Sequence, residues 1–142
     1  MTRIDFYVAR DGSPDLLVCR IVEKALCLGH QTCILTTDAQ QSARLDALLW
    51  TFSPGSFVPH RLHSGTDDPA PDVPTVVLIG HEEPPVVCND VLVSLRAEVP
   101  GCFSRFQRVI EFVGTEQQEK QQARIRYRFY QDRGYPLEDH SV

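Results

Sequence analysis

Lys120, Arg124, Tyr127 and Arg128 are the residues of this chain whose types and spacing could act together on a ligand. At roughly 100° per residue, a helix carrying them sets Arg124 about 40° and Arg128 about 80° to one side of Lys120, with Tyr127 about 20° to the other. The result is a positive stripe beside an aromatic ring, suited to holding an anionic group through charge-assisted hydrogen bonds. The chain as a whole is acidic, with 14 Lys and Arg against 19 Asp and Glu and a formal net charge of −5. The stripe therefore reads as a local anion receptor, whereas binding to duplex DNA by neutralising many phosphates has little support from the whole molecule.

Other chemistries fit less well. The glycines, at 12, 29, 55, 65, 80, 101, 114 and 134, form neither G-x-x-x-x-G-K-[ST] nor G-x-G-x-x-G, and the only lysines are Lys24 and Lys120. Without a glycine-rich turn the backbone does not readily wrap a polyphosphate at a helix N-terminus, which leaves a small nucleotide-binding enzyme as an alternative only. His60 and His63, with Asp67, His81 or Cys88, make one loose pair of zinc ligands where a structural site shows two tight pairs. The expectation is that His60 is tied to the turn around Pro59 and that His63 lies in solvent. Cys19, Cys27, Cys33, Cys88 and Cys102 are scattered over helix and strand positions typical of small core residues. Neither a catalytic residue nor a metal or cofactor is expected. A direct single-stranded nucleic-acid binder is a second alternative, encouraged only by the basic helix and lacking an evident stacking platform.

These side chains need a scaffold. At 142 residues and 42% apolar content, residues 1–142 suit one domain with one core. Arg3 to Val8 reads as an opening strand, and a helix follows from Ser13 as N-cap and Pro14 as first helical residue to a stop at Gly29. Thr32 to Thr36 reads as a second strand, and Asp38 caps a helix running to about Thr51. Val76–Ile79 and Val91–Leu95 suit buried strands, separated by a Pro-rich turn, after an exposed loop over residues 65–74. Arg108 to Val113 adds a strand, Thr115 with Gln118 forms a capping-box pattern, and Gly134 ends the last helix. The order predicts an α/β fold with a mostly parallel central sheet flanked by helices and no phosphate-binding loop.

Around the second helix the only Trp, Trp50, stands near Phe52 and Phe57. Leu45, Leu48 and Leu49 are expected to face inward with Trp50 at the core edge. Phe57, in a loop between prolines, is either buried filler or an exposed anchor for a partner. An odd number of cysteines, no C-x-x-C pair and no secretory leader pattern predict a reducing cytoplasm. No apolar run approaches the ~20 residues needed to span a bilayer.

The segments R-L-D-A-L-L-W-T-F (44–52), S-F-V-P-H-R-L (56–62), V-L-V-S-L-R (91–96), V-I-E-F-V (109–113) and A-R-I-R-Y-R-F-Y-Q-D-R-G-Y (123–135) together resemble the chi subunit of bacterial DNA polymerase III. The likeness runs over essentially the whole chain, and its most specific parts are L-W-x-F followed by S-F-x-P-H and the terminal R-Y-R-x-Y-x-x-x-G-[YF]. It implies a Rossmann-like, non-catalytic accessory protein of the clamp loader. Two partners are implied: the psi subunit and the acidic C-terminal tail of single-stranded-DNA-binding protein. By the same likeness Arg124 is the central tail-binding arginine, Lys120, Tyr127 and Arg128 are its neighbours, and Val113 and Trp50 line the same surface. Phe57 matches the position that anchors psi. Gly114, standing where Pro often follows the strand, and the acidic, Pro-rich loop depart from the family pattern.

Overall fold

The computed structural model describes residues 2–8, 14–55, 57–66 and 76–141. Among the described residues seven strands form one sheet in the order β3-β4-β2-β5-β6-β1-β7, with every pair parallel. They are β1 (Arg3–Val8), β2 (Thr32–Leu35), β3 (His60–Leu62), β4 (Val77–Gly80), β5 (Val91–Ser94), β6 (Arg108–Val113) and β7 (Leu137–Ser141). Among the described residues three α-helices cover them: α1 (Asp15–Cys27), α2 (Ala39–Thr51) and α3 (Gln117–Asp132). Among the described residues no helix is long and apolar enough to cross a membrane.

Strand alternation sorts the core into two layers. On one face Ile34, Val77, Ile79, Val91, Val93, Ile110 and Phe112 meet Val18, Cys19 and Val22 of α1 and Leu45 and Leu49 of α2. On the other, Ile4, Phe6, Cys33, Leu35, Leu78, Leu92 and Val109 meet Tyr130 of α3 and the short turn carrying Phe103 and Phe106. The crossover from β1 through α1 to β2 runs toward the β3 edge on the first face. That from β6 through α3 to β7 runs the opposite way on the second face, so both crossovers share one hand.

The local signals held at several ends. Asp38 accepts the Gln41 backbone N–H at 2.7 Å and starts α2 as expected. Gly134, with φ of 79°, closes α3: its N–H reaches Gln131 O and that of Tyr135 reaches Tyr130 O, a Schellman arrangement. The start of α3 differs from expectation. Its N-cap is Glu116, in extended conformation and without a side-chain cap bond, so the Thr115–Gln118 pairing is one residue out of phase. Glu119 takes the third helical position and folds back over Gly114, where a Cβ would meet its carboxylate. Pro14 stands at the N-cap of α1, not inside it, and Ser13 lies outside the described residues.

Two strands have no counterpart in the sequence reading. β3 is only three residues long, and β7 reads Leu-Glu-Asp-His-Ser with no apolar alternation because it is an edge strand. His63 is also a correction: it is buried, its Nδ1 accepts the Gly65 N–H at 3.1 Å, and its ring occupies the space a side chain at position 80 would need. His60 is held as expected, with Nδ1 2.6 Å from Val58 O and Nε2 3.0 Å from Asp46 O. Four of the five cysteines are buried, Cys27 being exposed. Burial pushes the Cys19 thiol up to about 11 and that of Cys102 upward, which suits core filling and opposes thiolate chemistry.

Candidate functional site: a cationic groove beside α3

The groove exists because α3 covers only part of its sheet face. The helix leaves β6 and packs over β6 and β1, and beyond it the sheet continues to β7. Phe6 and Val8 of β1, Val113 of β6 and Asp139 of β7 share that face, and with Lys120, Ala123, Arg124 and Tyr127 they line a cavity of about 320 Å³. Its floor is apolar. The Tyr127 ring is seated against Phe6 at 5.2 Å between centroids, so the aromatic wall is fixed from below.

The charges along this side of α3 are unspent. Lys120, Arg124 and Arg128 are exposed and, among the described residues, make no ion pair or side-chain hydrogen bond. Most other arginines are engaged: Arg44 with Asp15, Arg96 with the carbonyls of Thr36 and His81, Arg105 with those of Pro84, Pro85 and Cys88, Arg108 with Asp5. An apolar slot edged by free cations can receive a peptide end that carries both a carboxylate and a hydrophobic side chain.

The fourth cation of the segment does a different job. Arg126, at about −120° from Lys120 on the helix, points into the protein and is only 5% exposed. Its Nη1 donates to Ala97 O at 2.8 Å, its Nη2 to Phe112 O at 2.9 Å, and its Nε lies 3.2 Å from Glu111 Oε1. The Tyr130 hydroxyl donates to Glu111 Oε2 at 2.8 Å. Burial pushes the Glu111 carboxyl up to about 7, against the pull of Arg126 and Tyr130, and pushes the Tyr130 phenol up as well. This buried triad ties α3 to β6 in one register and so aims Arg124 and Tyr127 at the groove.

A second ionic cluster secures the far wall. Asp5 is fully buried, with Arg108 Nε at 2.6 Å, His140 Nε2 at 3.0 Å and Arg3 at 3.4 Å, and Arg3 also pairs with Glu138. Asp5, Glu138 and His140 bring ligand-type atoms within 4.8 Å of one another, but the two guanidiniums already supply the positive charge a metal would bring. The cluster clasps β7 to β1.

The structure brings together four of the six residues expected at the tail surface: Val113, Lys120, Arg124 and Tyr127. Arg128 lies around the helix and lines a neighbouring groove that shares Arg124. Trp50 is elsewhere, and this corrects the expectation. It stands on α2, on the opposite face of the sheet and near the β3 edge. At ~4.8 Å per strand, β3 is about 24 Å from β1. Trp50 is 57% exposed and packs against Phe57, 66% exposed, at 5.8 Å between centroids, and against His60 at 4.7 Å. Phe57 is thus exposed and not buried filler, and Trp50 packs beside it. The residues missed were Phe6, Val8, Ala123 and Asp139. Alternation along β1 and the helical stripe through Ala123 could have found three of them; nothing marked Asp139, because β7 itself was not legible.

The sequence profile of the family described as DNA polymerase III chi subunit, HolC, matches residues 1–138. The chain is 41% identical over 145 residues to the DNA polymerase III subunit chi of Pseudomonas aeruginosa, covering 100% of this chain and 98% of that protein. It is 34% identical over 121 residues to that of Escherichia coli, covering 85% and 80%. With that of Haemophilus influenzae the identity is 28% over 140 residues, covering 96% and 95%. The chain therefore belongs to the DNA polymerase III chi subunit family.

Proposed function

We propose that this chain is a cytoplasmic, non-catalytic accessory subunit of the DNA polymerase III holoenzyme that joins two partners through two separate surfaces. The α3 groove takes the acidic C-terminal tail of single-stranded-DNA-binding protein, and the Trp50–Phe57 patch takes the psi subunit of the clamp loader. DNA is met only indirectly. The observation that carries this reading is the pairing, at one place, of free cations with an apolar slot.

In this account a C-terminal aromatic side chain enters between Val113, Ala123 and Tyr127. The terminal carboxylate meets the Arg124 fork, and the preceding acidic residues lie near Lys120 and Arg128. Such contacts are exposed and individually modest, so affinity falls with salt and many tails on one coated strand add by multivalency. The consequence is a clamp loader held close to its template.

The test is a fluorescence-anisotropy titration of a labelled peptide ending Asp-Asp-Ile-Pro-Phe against wild type and Arg124→Ala. Saturable, salt-sensitive binding that collapses in the variant is the expected result. A folded wild type that leaves the peptide unbound would reject the groove as the tail receptor.

A further inference from the structure

We infer that the peptide receptor continues across the outer side of α3 into a second groove, which receives the acidic stretch upstream of the tail's terminal residues. This extension rests on the reading of the first groove. The second groove, about 390 Å³, is lined by Arg124, Ile125, Arg128, Phe129, Asp132 and Arg133. Arg124 is common to both, so a peptide leaving the first slot passes directly over it into the second.

Three features fit an acidic segment that also bears an apolar side chain. Three guanidiniums face a single carboxylate, that of Asp132, which leaves a net attraction for anions. Ile125 is 70% exposed on the face of α3 turned away from the core, and Phe129 follows it four residues on, so an apolar strip runs between the arginines. Arg133 is held in place, with its guanidinium carbon 3.6 Å from the centre of the Phe129 ring and Nη1 donating to Phe129 O at 3.4 Å. A guanidinium fixed on a ring is preorganised to take a carboxylate without further ordering.

Geometry also sets the length of the segment. From Arg124 to Phe129 the helix rises about 7.5 Å, at 1.5 Å per residue. Two or three extended peptide residues cover that span. Affinity should therefore climb as the first few residues are added upstream of the terminal ones and then level off.

The experiment compares two labelled peptides, Asp-Asp-Ile-Pro-Phe and Asp-Leu-Asp-Asp-Asp-Asp-Ile-Pro-Phe, on the full chain and on Arg133→Ala, Ile125→Ser and Arg124→Ala, with circular dichroism confirming the fold of each. The longer peptide should bind wild type about tenfold more tightly. Arg133→Ala and Ile125→Ser should each remove about three- to fivefold of that advantage while leaving the short peptide unchanged, and Arg124→Ala should weaken both. If wild type binds both peptides but Arg133→Ala and Ile125→Ser treat them as wild type does, the second groove is rejected and the first survives. If wild type binds neither, the reading of the first groove fails and this extension with it.

Discussion

The two exposed surfaces at opposite ends of the sheet differ in how they are built. The α3 groove combines free cations with an apolar floor, and it is braced from inside by Glu111, Arg126 and Tyr130 and on its far wall by the cluster around Asp5. The Trp50–Phe57 patch is aromatic, and its brace is local: a His60 ring tilted against Trp50 and itself held by backbone carbonyls. A charged receptor must keep guanidiniums and a ring in fixed relation, which takes a rigid helix. An aromatic patch needs only to stay exposed and to find a pocket in its partner.

The sharpest way to break this contrast is to remove the brace. Arg126→Met leaves the Glu111 carboxyl buried without its guanidinium and should lower stability by about 3–5 kcal/mol in urea unfolding. A loss below about 1 kcal/mol would mean that α3 does not depend on the triad. Next in size, Arg124→Ala should weaken tail binding by about ten- to hundredfold, the worth of a hydrogen-bonded charge being roughly 1.5–3 kcal/mol. Melting temperature and psi capture should stay at wild-type values, and a fall in either would show that the two surfaces are not independent.

The triad also predicts a pH dependence. Folding raises the Glu111 carboxyl from 4.5 to about 7, so between those values the unfolded chain has released a proton that the folded protein keeps. Stability from this group is therefore full at low pH and declines as pH rises from about 4.5 through about 7, by at most about 3 kcal/mol. Thermal melts of wild type against Glu111→Gln over pH 4.5 to 8 should show that decline in wild type only. The smallest effect expected is that of Phe57→Ala or Trp50→Ala on tail affinity, within about twofold of wild type, although either should weaken capture of psi. A larger loss of tail binding would join the two surfaces into one.

Much of the scaffold was legible because its signals are local. Asp38, Gly29 and Gly134 mark helix ends by backbone chemistry, and the apolar runs in β2, β4, β5 and β6 are buried on both faces. β3 and β7 were not, because an edge strand need not be apolar and β3 has only three residues. Within the site, helical arithmetic brought Lys120, Arg124 and Tyr127 together, since one helix carries them all. It did not separate Trp50 from Val113: strand order decides that distance, and strand order is a property of the whole sheet. The burial of His63 was equally hidden, because it depends on Gly80, a neighbour on the adjacent strand.

Tail binding at the α3 groove is proposed to be separate from the aromatic patch. A heteronuclear NMR titration of the isotope-labelled chain with the Asp-Asp-Ile-Pro-Phe peptide tests it directly, because the chain has a single Trp and so a single indole resonance at the patch. If tail and patch are separate, amide signals of Val113, Lys120, Arg124 and Tyr127 shift to saturation while the Trp50 indole stays in place. An indole that shifts along the same binding curve while the α3 signals remain unmoved would contradict that separation.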